Sequence, residues 1–293
     1  METMPPKNET RKPQCWLRDD CRDLYINQLL RDRATRIGKR ARVIRFSLNH
    51  AWTLKSQRCQ NAQFLQFGVH EGKDICRMAA FLLQKDVESK KTCSVNGVST
   101  VIHGFDSFVG LPEQWENGQE REDGTPLFQA GAFDVDGQAP KMSALWTNLN
   151  LKTKSTASSN DKSRTLTRDS TTYPDMVHFH KGWFCDTVPH FFDSNTQPVA
   201  FVHADADLYS STITFLSELC ERRLLRKGSV ITFDEFWNYE NWQQGEYKAW
   251  MEVVGRYELQ YRYLCYHAPS EHDKNNLNWY GYQSVGIEIL KDT

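Results

Sequence analysis

The chain lacks an excess of charge of either sign: 36 Lys and Arg face 37 Asp and Glu among 293 residues, a formal net charge of -1. Domains that hold nucleic acid through its phosphates are strongly basic, so this balance excludes an electrostatic nucleic-acid binder. No run approaches the ~20 apolar residues of a membrane-spanning helix, and the opening METMPPKNETRKPQCW has no apolar core of signal-peptide length. Both predict a cytoplasmic chain without a membrane partner. The eight cysteines (Cys15, Cys21, Cys59, Cys76, Cys93, Cys185, Cys220, Cys265) form no CxxC pair and no zinc-like spacing. Several lie in apolar stretches, so reduced, mostly structural thiols are expected, with Cys15 and Cys21 left open. There is no internal repeat. The dinucleotide fingerprint GxGxxG is also missing: Phe67-Gly68-Val69-His70-Glu71-Gly72 has only two glycines, four apart, and the next strand-end acid, Asp106, is too distant for an NAD site.

What is present is an alternation of short apolar runs with helical periodicity. FLQFGV from Phe64 reads as a strand, and Ile75, Met78, Ala79, Leu82 and Leu83 then fall on one helical face. STVIHGFD follows as a second strand, after a polar break at Ser89 to Gly97. A helix is predicted over Ala139 to Leu151, a third strand over Met176 to His180, a short helix over Asp186 to Phe192 and a fourth strand from Val199. The fifth strand starts at Gly228, a helix covers Gln244 to Arg256, and Leu259 to His267 with Ser284 to Leu290 reads as a closing antiparallel hairpin. The result is an α/β chain with seven strands. Residues 1–14 are expected to be disordered, 15–60 to form a helical extension with a helix over Trp16 to Leu30, and 61–293 to form one domain. Within it, Gly118 to Gly137 and the Ser/Thr/Lys-rich stretch 153–173 read as surface insertions. Between Arg31 and Arg45 seven basic residues, among them Arg36 and Arg40, meet one acid, Asp32. A solvated helix face accounts for them, an anion-binding patch being the alternative.

Two acidic pairs carry the chemistry. Asp205 with Asp207 in AFVHADADLYSST, and Asp234 with Glu235 in GSVITFDEFWNY, each end a predicted strand. If those strands are parallel neighbours, four carboxylates converge on the rim where open α/β sheets bind ligands. Carboxylates so crowded repel or hold protons, and a divalent cation relieves them. The plainer alternative is that they cap the helices that follow. Gly68 and Gly72 stand where the first strand turns into the first helix, and Asp106 ends the second strand, where a carboxylate can accept both ribose hydroxyls of an adenosine group. The alternative there is a turn-capping Asp followed by Ser107. Phe236, Trp237, Tyr239, Trp242, Trp183 and Phe184 sit near the same rim, either walling an acceptor pocket or packing a lid. Lys181 and Lys248 are assigned no role. His203 and His267 join Asp207 as candidate bases.

FGVHEGKDI, FDSFVGLPEQW, GAF, KGWFCDTVP, HADADLYSST and FDEFWNY, in this order, resemble the class I S-adenosylmethionine-dependent methyltransferases, specifically the macrocin O-methyltransferase-like branch. The resemblance runs from about Phe64 to the C-terminus. It implies a three-layer Rossmann-like fold, a mostly parallel seven-stranded sheet with an antiparallel C-terminal hairpin, and S-adenosylmethionine over the first two strand ends. By motif, Gln66, Gly68, Gly72, Asp106 and Ser107 fall at the cofactor positions and Asp205, Asp234 and Glu235 at a Mg²⁺ site, with Asp205 and Asp207 as the catalytic residues and Asp207 an alternative ligand or a base. Gln66 departs from the acid usual two residues before the first glycine, and Leu208 from the lysine of catechol-type relatives. The implied activity is Mg²⁺-assisted O-methylation of a small hydroxylated acceptor, with no nucleic-acid or membrane partner and with homo-oligomerisation open. The rivals are a hydroxylase or oxidoreductase on the same fold and a non-catalytic nucleoside-binding protein.

Overall fold

The seven apolar runs are strands, and an eighth joins them. In the computed structural model, which describes residues 28–58, 61–89, 100–148, 176–268 and 282–292, β1 (Thr35–Ile37) precedes helix α1 (Arg40–Arg58). Next come β2 (Gln63–Phe67), α2 (Lys73–Ser89) and β3 (Ile102–Asp106), then a two-stranded ribbon of β4 (Trp115–Glu120) and β5 (Pro126–Phe128). After α3 (Met142–Asn148) the alternation resumes with β6 (Val177–Lys181), α4 (Phe184–Ser194), β7 (Val199–Ala204), α5 (Tyr209–Glu221) and β8 (Leu225–Phe233). Helix α6 (Glu246–Tyr257) and the hairpin strands β9 (Tyr261–His267) and β10 (Val285–Ile289) complete the order.

Across the main sheet the order is β1-β9-β10-β8-β7-β2-β3-β6. The five strands from β8 to β6 run parallel. β10 is antiparallel to both its neighbours, as expected of the closing hairpin. Two expectations need correction. The sheet has eight strands rather than seven, because Thr35–Ile37, within the basic stretch, adds in parallel to β9. The Gly118 to Gly137 segment is not a bare insertion: it includes part of the β4–β5 ribbon, which sets the Trp115 ring 5.8 Å from that of Tyr239. The expected disordered start, most of the Trp16 to Leu30 helix and the insertion 153–173 lie outside the described residues.

Alternate side chains along each strand feed two cores. Phe64, Phe201 and Val230 are in register and pack with Ile44 and Leu48 of α1 and Ile75 and Met78 of α2. Leu65, Val202 and Ile231, one residue on, face the other way, toward Val188 of α4, Phe215 of α5 and Trp250 of α6. The period of two in the strands thus produces three layers. Fully buried aromatics such as Phe64, Phe201 and Phe215 each contribute about 1.5–3 kcal/mol of burial free energy. Strand order reverses at β2, flanked by β3 on one side and β7 on the other, which opens a crevice beyond their carboxyl ends. No helix among the described residues is long and apolar enough to cross a membrane.

Candidate active site

The crevice is a cleft of about 640 Å³ whose walls include Gln66, Gly68, Asp106, Ser107, Asp205, Asp207, Asp234 and Glu235. Its floor is set by the turn that follows β2. Gly68 has φ +83°, and a Cβ there would lie 1.7 Å from the Asp205 carbonyl oxygen, so only glycine fits. Hydrogen bonds from Gly68 N to Phe105 O (3.0 Å) and from Asp205 N to Phe67 O (2.9 Å) lock this turn between the ends of β3 and β7. Gly72 does another job. It opens α2 outside the cleft, and a Cβ there would meet Pro140 and Leu145.

Asp106 anchors both neighbouring turns. Its Oδ2 accepts from Val69 N (2.6 Å) and His70 N (2.7 Å), and its Oδ1 from Phe108 N (2.6 Å). A carboxylate has about four acceptor positions, so it can cap the turn and still receive a hydroxyl from the cleft. Ser107 shapes the next turn, donating to Gly110 O (3.0 Å) and accepting from Val109 N (3.2 Å). Gln66 is buried; its Nε2 donates to Gly68 O (2.8 Å), while its Oε1 has no partner.

β7 and β8 are parallel neighbours, and they bring the two acidic pairs together. One donor oxygen each from Asp205, Asp234 and Glu235 lie within 4.8 Å of one another. The capping alternative fails, since α5 starts after Leu208, with no side-chain cap, and α6 starts after Gly245. Hard carboxylate oxygens in this number suit Mg²⁺ or a similar divalent cation, and Glu235 Oε2 is buried without a partner. The residues therefore fit the metal that the sequence resemblance implies. Asp207 stands on the cleft wall beside them in a left-handed conformation, φ +58°, which an aspartate adopts more readily than most residues.

Two participants were not anticipated. Arg40, the first residue of α1, forks into the rim: its Nε bonds Asp234 Oδ2, its Nη1 Asp74 Oδ2 (2.7 Å) and its Nη2 Asp205 Oδ2 (3.0 Å). It is thus not part of a solvated basic face, although Arg31, Arg33, Arg42 and Arg45 around it are exposed. The other is Glu246, at the start of α6 and fully buried. Its two oxygens accept from Ala206 N and Glu235 N, both at 3.2 Å, and so tie the β7 turn to the β8 turn. No local signal singles Arg40 out from the basic residues around it in the sequence, and it lies 194 residues from Asp234.

Burial first, and charge crowding after it, set the titration of the rim. Burial, reinforced by Asp234, pushes Asp205 well above the usual carboxylate range and Asp207 up to about 7. Burial followed by Asp234, Asp205 and Asp207 raises Glu235 likewise. Burial also raises Glu246, against the pull of the Ala206 N–H. Arg40 is the counterweight: burial opposes its charge, but Asp234, Asp205 and Asp74 hold it protonated. Asp74 is raised by burial yet ends below its ordinary value because Arg40 faces it.

The aromatics divide. Phe236, Trp237, Tyr239 and Trp242 are buried in the core, so they pack the domain rather than line the cleft. Trp183, 39% exposed, and Phe184 do border it. His203 and His267 are buried outside the cleft, and burial lowers both, His267 to about 4. Lys181 donates to Gly137 O, and Lys248 lies over the Tyr209 ring. Cys76, Cys220 and Cys265 are buried free thiols, whereas Cys185 is exposed on the cleft wall.

With this geometry in place, comparison with known proteins is informative. Residues 144–252, which carry Asp205, Asp207, Asp234, Glu235 and Glu246, match a family model. The family is macrocin-O-methyltransferase (TylF). The TylF match thus holds both acidic pairs and Glu246, while Arg40, Gln66, Gly68, Asp74 and Asp106 precede it. The calicheamicin methyltransferase CalS11 is similar in structure, with TM-score 0.51 and 21% identity, covering 83% of this chain and 77% of its own. That likeness bears out the Rossmann-like fold. The O-methyltransferase NovP gives TM-score 0.49 and 16% identity over 84% of this chain and 79% of its own. TomG of Streptomyces achromogenes, an O-methyltransferase solved with SAM, gives 0.43 and 13% over 84% and 79%. No curated protein sequence matches significantly. The macrocin O-methyltransferase-like resemblance seen in the sequence is borne out by the TylF match.

Proposed function

We propose that this chain is an S-adenosylmethionine-dependent O-methyltransferase acting on a small hydroxylated molecule, with a divalent cation, Mg²⁺, at Asp205, Asp234 and Glu235. The observation that carries the reading is that one cleft joins the β2–β3 turn system, with its unpaired Gln66 acceptor, to a rim of clustered carboxylates. The TylF match over the rim supports it. Gln66 Oε1 would receive the cofactor's ammonium and Asp106 a ribose hydroxyl, while the Gly68 turn brings the backbone close to the ligand. A cation on the rim, when bound, lowers the pKa of an acceptor hydroxyl and fixes its position. Asp207, on the same wall, would take the hydroxyl proton. Trp183 and Phe184 exclude water from one side of the cleft, and orientation of acceptor against methyl group supplies much of the rate.

Incubating the full chain with methyl-labelled cofactor and a metabolite extract tests the reading. Label should pass to a small molecule in the presence of Mg²⁺, and calorimetry should show S-adenosylmethionine preferred over NAD. Asp234→Asn keeps shape and should leave cofactor affinity nearly unchanged while transfer falls on the order of 100-fold or more. Transfer at full rate in excess chelator would refute the metal assignment. Binding of NAD alone would favour an oxidoreductase, and cofactor binding with no transfer to any acceptor a non-catalytic protein.

A further inference from the structure

Arg40 and the proposed cation make claims on the same atoms. Asp234 is 3% exposed, and its Oδ1 already accepts from Ser284 Oγ (2.9 Å). Its other oxygen, Oδ2, is the one on which Arg40 Nε sits. On Asp205, too, Arg40 occupies Oδ2. A guanidinium and a divalent cation on the same oxygens would lie within a few ångströms of each other, and like charges so close repel strongly. The Arg40 side chain is 38% exposed, so it can swing toward solvent without crossing the core. Released, it leaves Asp74 with Arg77 as partner, at 2.8 Å.

We propose that the Arg40 guanidinium and a divalent cation are alternative occupants of the Asp205–Asp234 pair, so that loading the metal expels Arg40 from the rim. This rests on the metal reading given above and adds to it a resident that the metal must displace. In the metal-free protein Arg40 neutralises part of a rim that would otherwise hold Asp74, Asp205, Asp207, Asp234 and Glu235 together. Because Arg40 begins α1, directly after β1 at the sheet edge, metal occupancy is coupled to the seating of that helix end. Site and N-terminal segment thus form one two-state element, in which an ion binding one state draws the equilibrium toward it.

The probe is Mn²⁺ alone, with the free ion followed by electron paramagnetic resonance against the full chain. Arg40→Gln should bind Mn²⁺ at least ten-fold more tightly than the unmodified protein, Arg40→Lys should fall between them, and Asp234→Asn should lose binding. Amides at the start of α1 should exchange faster in the unmodified protein once Mn²⁺ is added. If Arg40→Gln binds Mn²⁺ no more tightly while Asp234→Asn still abolishes binding, the competition is wrong and the metal reading stands. If neither the unmodified protein nor Arg40→Gln binds Mn²⁺, the metal reading falls and the competition with it. Should Arg40→Gln not fold, Arg40→Lys decides: an affinity equal to the unmodified protein's overturns the proposal.

Discussion

Two clusters of titratable side chains stand on adjacent parallel strands of this sheet, and they solve crowding in opposite ways. At the β3–β6 edge, His103 Nδ1 and His180 Nε2 are 3.0 Å apart, with His178 beside them. The rings pack as aromatics, His180 stacked on Phe105 at 4.6 Å and His103 4.6 Å from Phe191. Burial, with His180 and His178, lowers His103 to about 4, so its ring is neutral at pH 7 and needs no counter-ion. The carboxylates of β7 and β8 are pushed toward neutrality as well, Asp207 up to about 7, but by holding protons rather than shedding them. To this the structure adds an arginine from another layer and a buried glutamate that joins two turns. Crowding settled among stacked rings is packing; several raised carboxylates around one cleft, with an arginine drawn in from afar, make a candidate ligand site.

The comparison breaks first at Glu246. Glu246→Ala leaves the Ala206 and Glu235 N–H groups buried without acceptors, at ~1–3 kcal/mol each. Denaturant unfolding should therefore show a loss of about 2–5 kcal/mol. A loss below 0.5 kcal/mol, on the order expected of an ordinary surface change, would mean the two turns hold themselves. At the histidine edge the effect is smaller and depends on pH. The folded pKa of His103, about 4, lies below the unfolded value of 6.5, so only the unfolded state takes up the proton between them. Stability should be full above pH 6.5 and fall by about 2–3 kcal/mol as pH drops toward 4. His103→Phe should flatten that slope while leaving methyl transfer within about two-fold, and an unchanged slope would show that the proton goes elsewhere. Least affected should be Trp183→Ala. As a partly exposed wall of the cleft, Trp183 should change stability by no more than ~0.5 kcal/mol and act only through a raised KM for the acceptor. A large drop in melting temperature would place it in the core instead.

The two regions also differ in how far they could be read from the sequence. Apolar runs that end in acid or glycine are local signals, so all seven strands, the two acidic pairs and the Gly68 turn were legible. Their convergence followed from one topological rule, that parallel neighbours end on the same side. Partnerships across the fold were not legible. Arg40 sat in a stretch whose basic residues look alike, and only the packing of α1 picks one of them out. Glu246 follows Gly245 in an ordinary helix start, and nothing nearby in sequence says that its oxygens are needed elsewhere. Thr35–Ile37 is too short to show a period of two. For Phe236 and Trp237 the sequence left pocket wall and packing both open; both are buried in the core, because closeness in sequence to Asp234 and Glu235 is not closeness to the cleft.

The glycine at the end of β2 limits how such a protein can be altered. Since a single added carbon at Gly68 would strike the backbone at Asp205, the Asp106 end of the cleft, proposed to seat the cofactor, and the acidic end are one piece of masonry, not two fittings on a common frame. Transplanting a loop for a different donor would shift the residue that begins the acidic rim, and widening the rim for a bulkier acceptor would press on the donor's seat. Variation in what this cleft accepts is therefore expected to arise at its free walls, the β4–β5 ribbon and the start of α4, where side chains can change without moving the joint.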